Sequence, residues 1–247
     1  VMEDARQFAG LQVSDDRRHA ALEPLEVVPD RLHGQPEPGG DRREVGACRV
    51  RGRSGAGCST GTQSRLARQA PGEAKYVICN ADEGDPGAFM DRIMIESDAF
   101  SVIEGMTIGG FAIGAHRGFF YVRAEYPLAV RRVTAAIRAC SERGIFRDGF
   151  SVEVAVGAGA FVCGEETAMI AALEGLRPCP RFRPPFPAEQ GLRGRPTLVN
   201  NVETFAAVPW IVQNGPQAFR EMGAFMAKVF SAMSERMGSR GRDGRAA

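Results

Sequence analysis

The stretch Tyr76-Val-Ile-Cys-Asn-Ala-Asp-Glu-Gly-Asp-Pro86 sets a short apolar run directly before three carboxylates, Asp82, Glu83 and Asp85. The run is partly β-branched and reads as a buried strand over Lys75–Cys79, with Gly84 and Pro86 forcing the turn that follows. In an open α/β sheet, ligands bind just beyond the carboxyl ends of the strands. Acidic side chains there can accept hydrogen bonds from a hydroxyl-rich ligand, and they repel any additional phosphate. A second carboxylate pair, in Gly164-Glu165-Glu166, falls where a later strand-loop gives way to a helix. Two such sites in one sheet point to a polar, sugar-bearing cofactor. The competing reading is a solvated acidic loop whose Asn80 and Asp82 cap their own turn. A calcium loop is conceivable, but the EF-hand spacing is absent.

Outward from this point the chain alternates strands and helices. Asp98 is placed to cap a helix through Val102, Ile103 and Met106, and Phe119–Val122 is the next strand. Pro127 suits the first turn of a helix with an apolar stripe of Val130, Val133, Ile137 and Cys140, ending at Gly144. Ser151–Val156 alternates as a strand and breaks into Gly157-Ala-Gly-Ala160. A helix from about Glu165 to Leu173 follows, with Gly175 as its left-handed stop. This order implies βαβ units, hence an α/β fold with a mainly parallel sheet whose faces are covered by helices.

Composition bounds the function. Apolar residues at 44% and charged residues at 25% describe a soluble globular chain. A net charge of +1 argues against nucleic-acid binding driven by counterion release. The uncharged stretch around Met106–Ala115, between Glu104 and His116, is shorter than the ~18 residues of a membrane span, and its glycines suit tight packing. Glu3 and Asp4 with no apolar segment after them give no secretory signal, so a cytoplasmic protein is expected. The six cysteines, Cys48, Cys58, Cys79, Cys140, Cys163 and Cys179, are too dispersed for a metal or iron–sulfur motif and read as reduced thiols.

Three further segments carry possible chemistry. Gly52-Arg-Ser-Gly-Ala-Gly-Cys-Ser-Thr-Gly61 could bring backbone N–H groups to a phosphate, but it is neither a Walker loop nor a Rossmann fingerprint, and a flexible loop explains it as well. Asn200-Asn-Val-Glu-Thr204 opens a helix, its amides either capping that helix or facing a cofactor. Pro184-Pro-Phe-Pro187 is a stiff loop that presents Phe186 either to the core or to a planar ligand.

Four ordered blocks resemble a known family: Lys75–Arg92, Gly157–Ala168, Pro184–Ala188 and Pro196–Thr204. The family is the FMN-containing, NADH-oxidising flavoprotein subunit of respiratory complex I, together with the related diaphorase subunits of NAD-linked hydrogenases and formate dehydrogenases. The resemblance implies a three-layer Rossmann-like domain holding FMN and admitting NAD(H). By position it implies Asn80, Asp82, Glu83, Gly164, Glu165, Asn200, Asn201 and Thr204 on the flavin side. Asp85, Glu166, Arg183 and Phe186 match positions of the NADH channel, with Glu83 and Glu166 as the candidate catalytic carboxylates. From the first glycine loop, Gly52, Arg53, Gly55, Ala56 and Gly57 are carried over. Carboxylates beside the nucleotide would disfavour the 2′-phosphate of NADPH.

The resemblance has departures. Ser54, Cys58, Ser59 and Gln63 stand where the family has glycine, phenylalanine, proline and lysine, which implies weaker flavin binding. The family's C-terminal domain, which carries a 4Fe-4S cluster, has no counterpart here, so its cysteine ligands are missing and a truncated chain is expected. The expected organisation is an irregular segment over 1–50, an FMN/NADH-binding domain over 51–215, and a helical then disordered tail over 216–247. Other subunits of a respiratory or hydrogenase complex are the implied partners, an iron–sulfur protein among them, with any membrane association only through them. Three readings stand: an NADH dehydrogenase module, a catalytically impaired nucleotide-binding fragment, and a diaphorase subunit.

Overall fold

The computed structural model describes residues 59–146, 149–157 and 161–240, with side chains followed to 222. Its first strand, β1, runs Tyr76–Ala81 with every residue buried, two residues further than the apolar pattern implies. The extension includes Asn80, whose side chain is satisfied at the strand end, so a polar residue fits there. The strands β2 (Arg117–Arg123), β3 (Ser151–Gly157) and β4 (Thr197–Asn201) complete a sheet of order β3-β2-β1-β4, parallel throughout.

The connections follow from this order. Helix α2 (Met90–Ile113) joins β1 to β2, and α3 (Pro127–Glu142) joins β2 to β3. Both cover one face, where Met106 of α2 reaches Gly118 of β2. Helix α4 (Glu166–Leu173) links β3 to β4 on the other face, packing Met169 and Ile170 against Tyr76, Ile78, Tyr121 and Val199. The strand order therefore turns back at β1, and α/β/α layering results. The fold class read from the sequence is the one observed.

Local signals account for most element ends. Asp98 does cap a helix: the backbone breaks from helical geometry there, and its carboxylate accepts from the Ser101 amide and hydroxyl. The same helix also extends back to Met90, because an acceptor distant in sequence, the Glu83 carboxylate, caps that earlier start. Pro127 opens α3, whose buried stripe is Ala129, Val133, Ala136 and Cys140; Val130 and Ile137 sit half-buried beside it. Gly144 and Gly175 adopt positive φ after their helices. Some elements carry no such local signal. Helix α1 (Thr60–Gln69) buries Thr60, Gly61, Ser64 and Ala67, a stripe of small residues without hydrophobic periodicity. Its last turn is held by the buried Lys75 ammonium, which donates to the carbonyls of Ala67 and Arg68. Strand β4 was hidden because the Asn200–Asn201 pair that ends it resembles a helix cap.

The final helix, α6 (Val202–Arg240), starts directly from β4 and breaks at Gly215. It crosses α2 at close range: a Cβ on Gly105 would lie 2.0 Å from the Phe205 carbonyl oxygen. Gly109 serves the same crossing by meeting the Phe205 ring, while Gly110 lets α2 pack on Phe150, just before β3. Cys79, Cys140 and Cys163 are buried free thiols and Cys179 is exposed; Cys48 and Cys58 lie outside the described residues. No described helix is long and apolar enough to cross a membrane. The Gly105 contact is backbone on one side and cannot relax cheaply, so Gly105→Ala should destabilise the protein by roughly 1–3 kcal/mol. A chemical denaturation midpoint unchanged from wild type would refute that close approach.

Candidate active site

The cleft at the sheet's C-terminal edge is built first by the β1 turn. The Asp82 amide donates to Asn80 Oδ1 at 3.1 Å, so Asn80 does cap its own turn. Its Nδ2 donates to the Gly164 carbonyl at 2.9 Å and ties β1 to the 3-10 turn Phe161–Gly164 before α4. Asp82, its side chain only 1% exposed, pairs with Arg123 at 2.7 Å through Oδ1. Its Oδ2 is buried with no hydrogen-bond partner among the described residues. Burial pushes the Asp82 carboxyl above its ordinary range, and Arg123 opposes that rise.

Both acidic motifs also complete helices. Glu83 accepts from the Asp91 and Arg92 amides at 3.2 Å each, capping α2. Glu165 caps α4, accepting from the Thr167 and Ala168 amides at 2.9 Å. A helix N-terminus carries partial positive charge, so two such ends stabilise these carboxylates at the cleft. Together Asn80, Asp82, Glu83, Asp85, Gly164, Glu165 and Asn201 line a cleft of about 570 Å³, within the range of ligand sites.

The end of β4 serves both faces of the sheet, because consecutive strand residues point oppositely. Asn201 faces the cleft, donates to the Asp91 carboxylate and accepts from the Glu203 amide. Asn200 faces the other side, beside Thr60, Gly61 and Phe205, at a cavity of about 20 Å³. Both polar atoms of its amide are buried without a partner among the described residues, as is Thr60 Oγ1. Thr204 is buried just behind, at the start of α6.

The remaining candidates lie apart from the cleft lining. Glu166 forms an ion pair with Arg183, and burial raises its carboxyl while the guanidinium lowers it. Phe186 is half exposed at the start of the one-turn helix α5 (Pro187–Gln190). Gly52, Arg53, Gly55, Ala56 and Gly57 lie outside the described residues. Sequence reasoning missed Phe161, 66% exposed at the cleft mouth, and Asp91, Glu203 and Arg123. An aromatic residue three positions before the Gly164 turn was a usable signal for Phe161. Nothing local marked Arg123, whose partner is remote in sequence.

A parallel sheet whose strand order reverses beside an acidic cleft places the chain among the α/β proteins that bind ligands at a topological switch point. Comparison narrows the class: residues 45–210 match the Nuo51 FMN-binding domain, and the chain belongs to that family. It is 52% identical over 186 residues to the HndC subunit of the NADP-reducing hydrogenase of Solidesulfovibrio fructosivorans, covering 72% of this chain and 38% of that protein. It is 48% identical over 181 residues to a subunit of the NADH-quinone oxidoreductase of Rhizobium meliloti, covering 70% of this chain and 43% of the relative. The crystal structure of an air-oxidised NAD+-reducing NiFe-hydrogenase superposes with a TM-score of 0.68 at 42% identity, over 73% of this chain and 31% of that one. The chain thus spans less than half the length of these relatives.

Asp91 gives the cleft a pH signature. Burial pushes its carboxyl up to about 6 against the Asn201 bond, with Glu83 and Glu203 adding to the rise. The folded protein therefore keeps this proton where the unfolded chain, titrating near ~4, has released it. Its contribution to stability falls as pH rises from about 4 to about 6. Glu104, raised to about 7 by burial and by Asp98, titrates in wild type and variant alike and cancels. Asp91→Asn should gain on wild type by up to about 3 kcal/mol between pH 4 and pH 7. Parallel stability curves across that range would contradict this assignment.

Proposed function

We propose that this chain is the FMN- and NADH-binding module of an NADH dehydrogenase flavoprotein subunit. The observation that carries the reading is a set of buried polar atoms at the switch-point edge that lack a partner among the described residues: Asp82 Oδ2 and the Asn200 amide. Buried polar groups are nearly always satisfied, so such atoms suit a ligand rich in hydroxyls and N–H groups. The acceptor-rich lining and the cleft volume fit the hydroxyl-bearing ribityl chain and ring N–H of a flavin mononucleotide. Asn80, Asp82, Glu83, Gly164, Glu165, Asn201 and Thr204 would hold its flavin and ribityl parts, with Asn200 and the start of α1 toward its polar end. The glycine loop Gly52–Gly57 would contribute backbone N–H groups.

The chemistry a bound flavin supplies is acceptance of a hydride from the nicotinamide. The chain's own residues bind and orient. Glu83 and Glu165 hold the two helix starts in register with the cleft, and Phe161 offers an exposed aromatic face for a planar ring. Phe186, Glu166, Arg183 and Asp85 would line the nucleotide's approach. Electrons would leave to an iron–sulfur partner within a larger complex, at the membrane only through other subunits. A diaphorase role in a hydrogenase is the second reading, favoured by the likeness to NAD+-reducing hydrogenase.

Titration of FMN against the purified chain, read as quenching of flavin fluorescence, tests the site. Asn200→Leu separates binding from folding. A buried amide without a partner costs about 1–3 kcal/mol, so the ligand-free variant should melt no lower than wild type. Its FMN affinity should fall by at least about tenfold. Absence of saturable quenching by wild type would overturn the flavin reading.

Reduction of ferricyanide by the FMN-loaded chain with NADH or NADPH tests nucleotide choice. NADH should be preferred, and Glu166→Gln should shrink the preference by up to about tenfold as a like charge is removed. Equal use of both nucleotides by wild type would reject the carboxylate account, a live comparison because one relative is named NADP-reducing.

A further inference from the structure

We infer that Arg123 is a positioning residue for the flavin site: it holds Asp82 as a carboxylate with Oδ1 engaged and Oδ2 presented to ligand. The inference rests on the flavin reading of the cleft. Arg123 ends β2 and donates from Nη1 to Asp82 Oδ1 at 2.7 Å and from Nη2 to Glu125 Oε1 at 2.8 Å. Two anchors fix the guanidinium plane, and with it the rotamer of Asp82. The turn around them is fitted closely: a Cβ on Gly84 would lie 2.7 Å from Arg123 Nη1 and 2.9 Å from Phe161 Cδ2. Tyr126 braces the same turn, its hydroxyl donating to the Glu83 carbonyl at 2.7 Å, with Arg92 over its ring. The corner Arg123-Ala-Glu-Tyr126 is thus built against the acidic turn of β1, although no cofactor contact was read from it in the sequence.

Charge explains why an arginine is needed. Asp82 interacts with Arg123 and Tyr121 of β2 and with Glu125 after it, and Tyr121 is in turn hydrogen-bonded to Cys163. Glu83, Asp85, Asp91, Glu165 and Glu203 share the cleft. Among these groups Arg123 is the cation in contact with Asp82, and burial alone drives the carboxyl toward its neutral form. Without Arg123, burial would raise the Asp82 carboxyl further unopposed and favour the protonated form, in which the group is no longer purely accepting.

The test compares FMN affinity of wild type, Arg123→Gln, Arg123→Lys and Arg123→Gln/Asp82→Asn from pH 5.5 to 8.5. The wild-type to variant affinity ratio cancels titration of the ligand itself. For Arg123→Gln that ratio should be at least about tenfold larger at the acid end. Arg123→Lys should restore a nearly flat ratio, and the double variant should show no pH-dependent part. A ratio for Arg123→Gln that is constant with pH overturns the inference and leaves the flavin reading standing. Carbon-13 NMR of aspartate-labelled, ligand-free protein reads the same point without flavin. One carboxyl should titrate higher in Arg123→Gln than in wild type and vanish in the double variant. If wild type binds no FMN the flavin reading fails, and the inference fails with it as a statement about that site. An unshifted aspartate titration refutes the role of Arg123 whatever binds in the cleft.

Discussion

The reversal of strand order at β1 governs the rest of the molecule. With β2 and β3 on one side of β1 and β4 on the other, the helices after β1 and β3 must leave toward opposite faces. Their N-termini then diverge at the carboxyl edge of the sheet and leave a crevice between the ends of β1 and β4. Every cleft residue is placed by that divergence. Asn80 bridges it to Gly164, Asn201 bridges it to Asp91, and the two acidic motifs occupy its walls. The opposite side depends on a second constraint, the backbone approach of α2 and α6 at Gly105 and Phe205, which brings α1 and β4 together around Asn200.

The acidic residues at the cleft have two roles at once. Glu83 and Glu165 satisfy amides that a helix start leaves open, and the helix dipoles in turn stabilise their charge. Asp82 is instead balanced by the Arg123 guanidinium, and Asp91 by the Asn201 amide. Four carboxylates can therefore face one cavity because Glu83, Glu165, Asp82 and Asp91 each have a separate partner. The cost is a site in which removing one partner leaves the other charge buried. The Glu166–Arg183 pair lies outside this group and has a different character, with the Arg183 side chain 36% exposed and Glu166 15%.

Local patterns carried far where they were strong. The strand before Asn80, the Asp98 cap, Pro127 at a helix start, the glycines closing α3 and α4, and the parallel sheet could all be read along the chain. Each depends on neighbours within a few residues, which is the range over which sequence periodicity and capping act. Helix α1 could not be read this way, since its buried face is Gly61, Ser64 and Ala67, small residues chosen for close packing rather than for hydrophobicity. Strand β4 escapes such a reading because only three residues, Thr197, Leu198 and Val199, stand between Pro196 and the two asparagines, too few to separate a strand from a cap.

By itself the sequence determined the α/β class, the family, and the acidic turn after β1 with its carboxylates at positions 82, 83 and 85, because these rest on contiguous residues. Only the tertiary structure decided that Glu83 caps a helix seven residues on, that Asn200 and Asn201 serve opposite faces, and that Arg123 neutralises Asp82 across 41 positions of chain. The physical reason is the reach of the forces involved. Propensity and capping are settled within a turn or two, whereas the partner of a buried charge is set by which strands the fold makes neighbours.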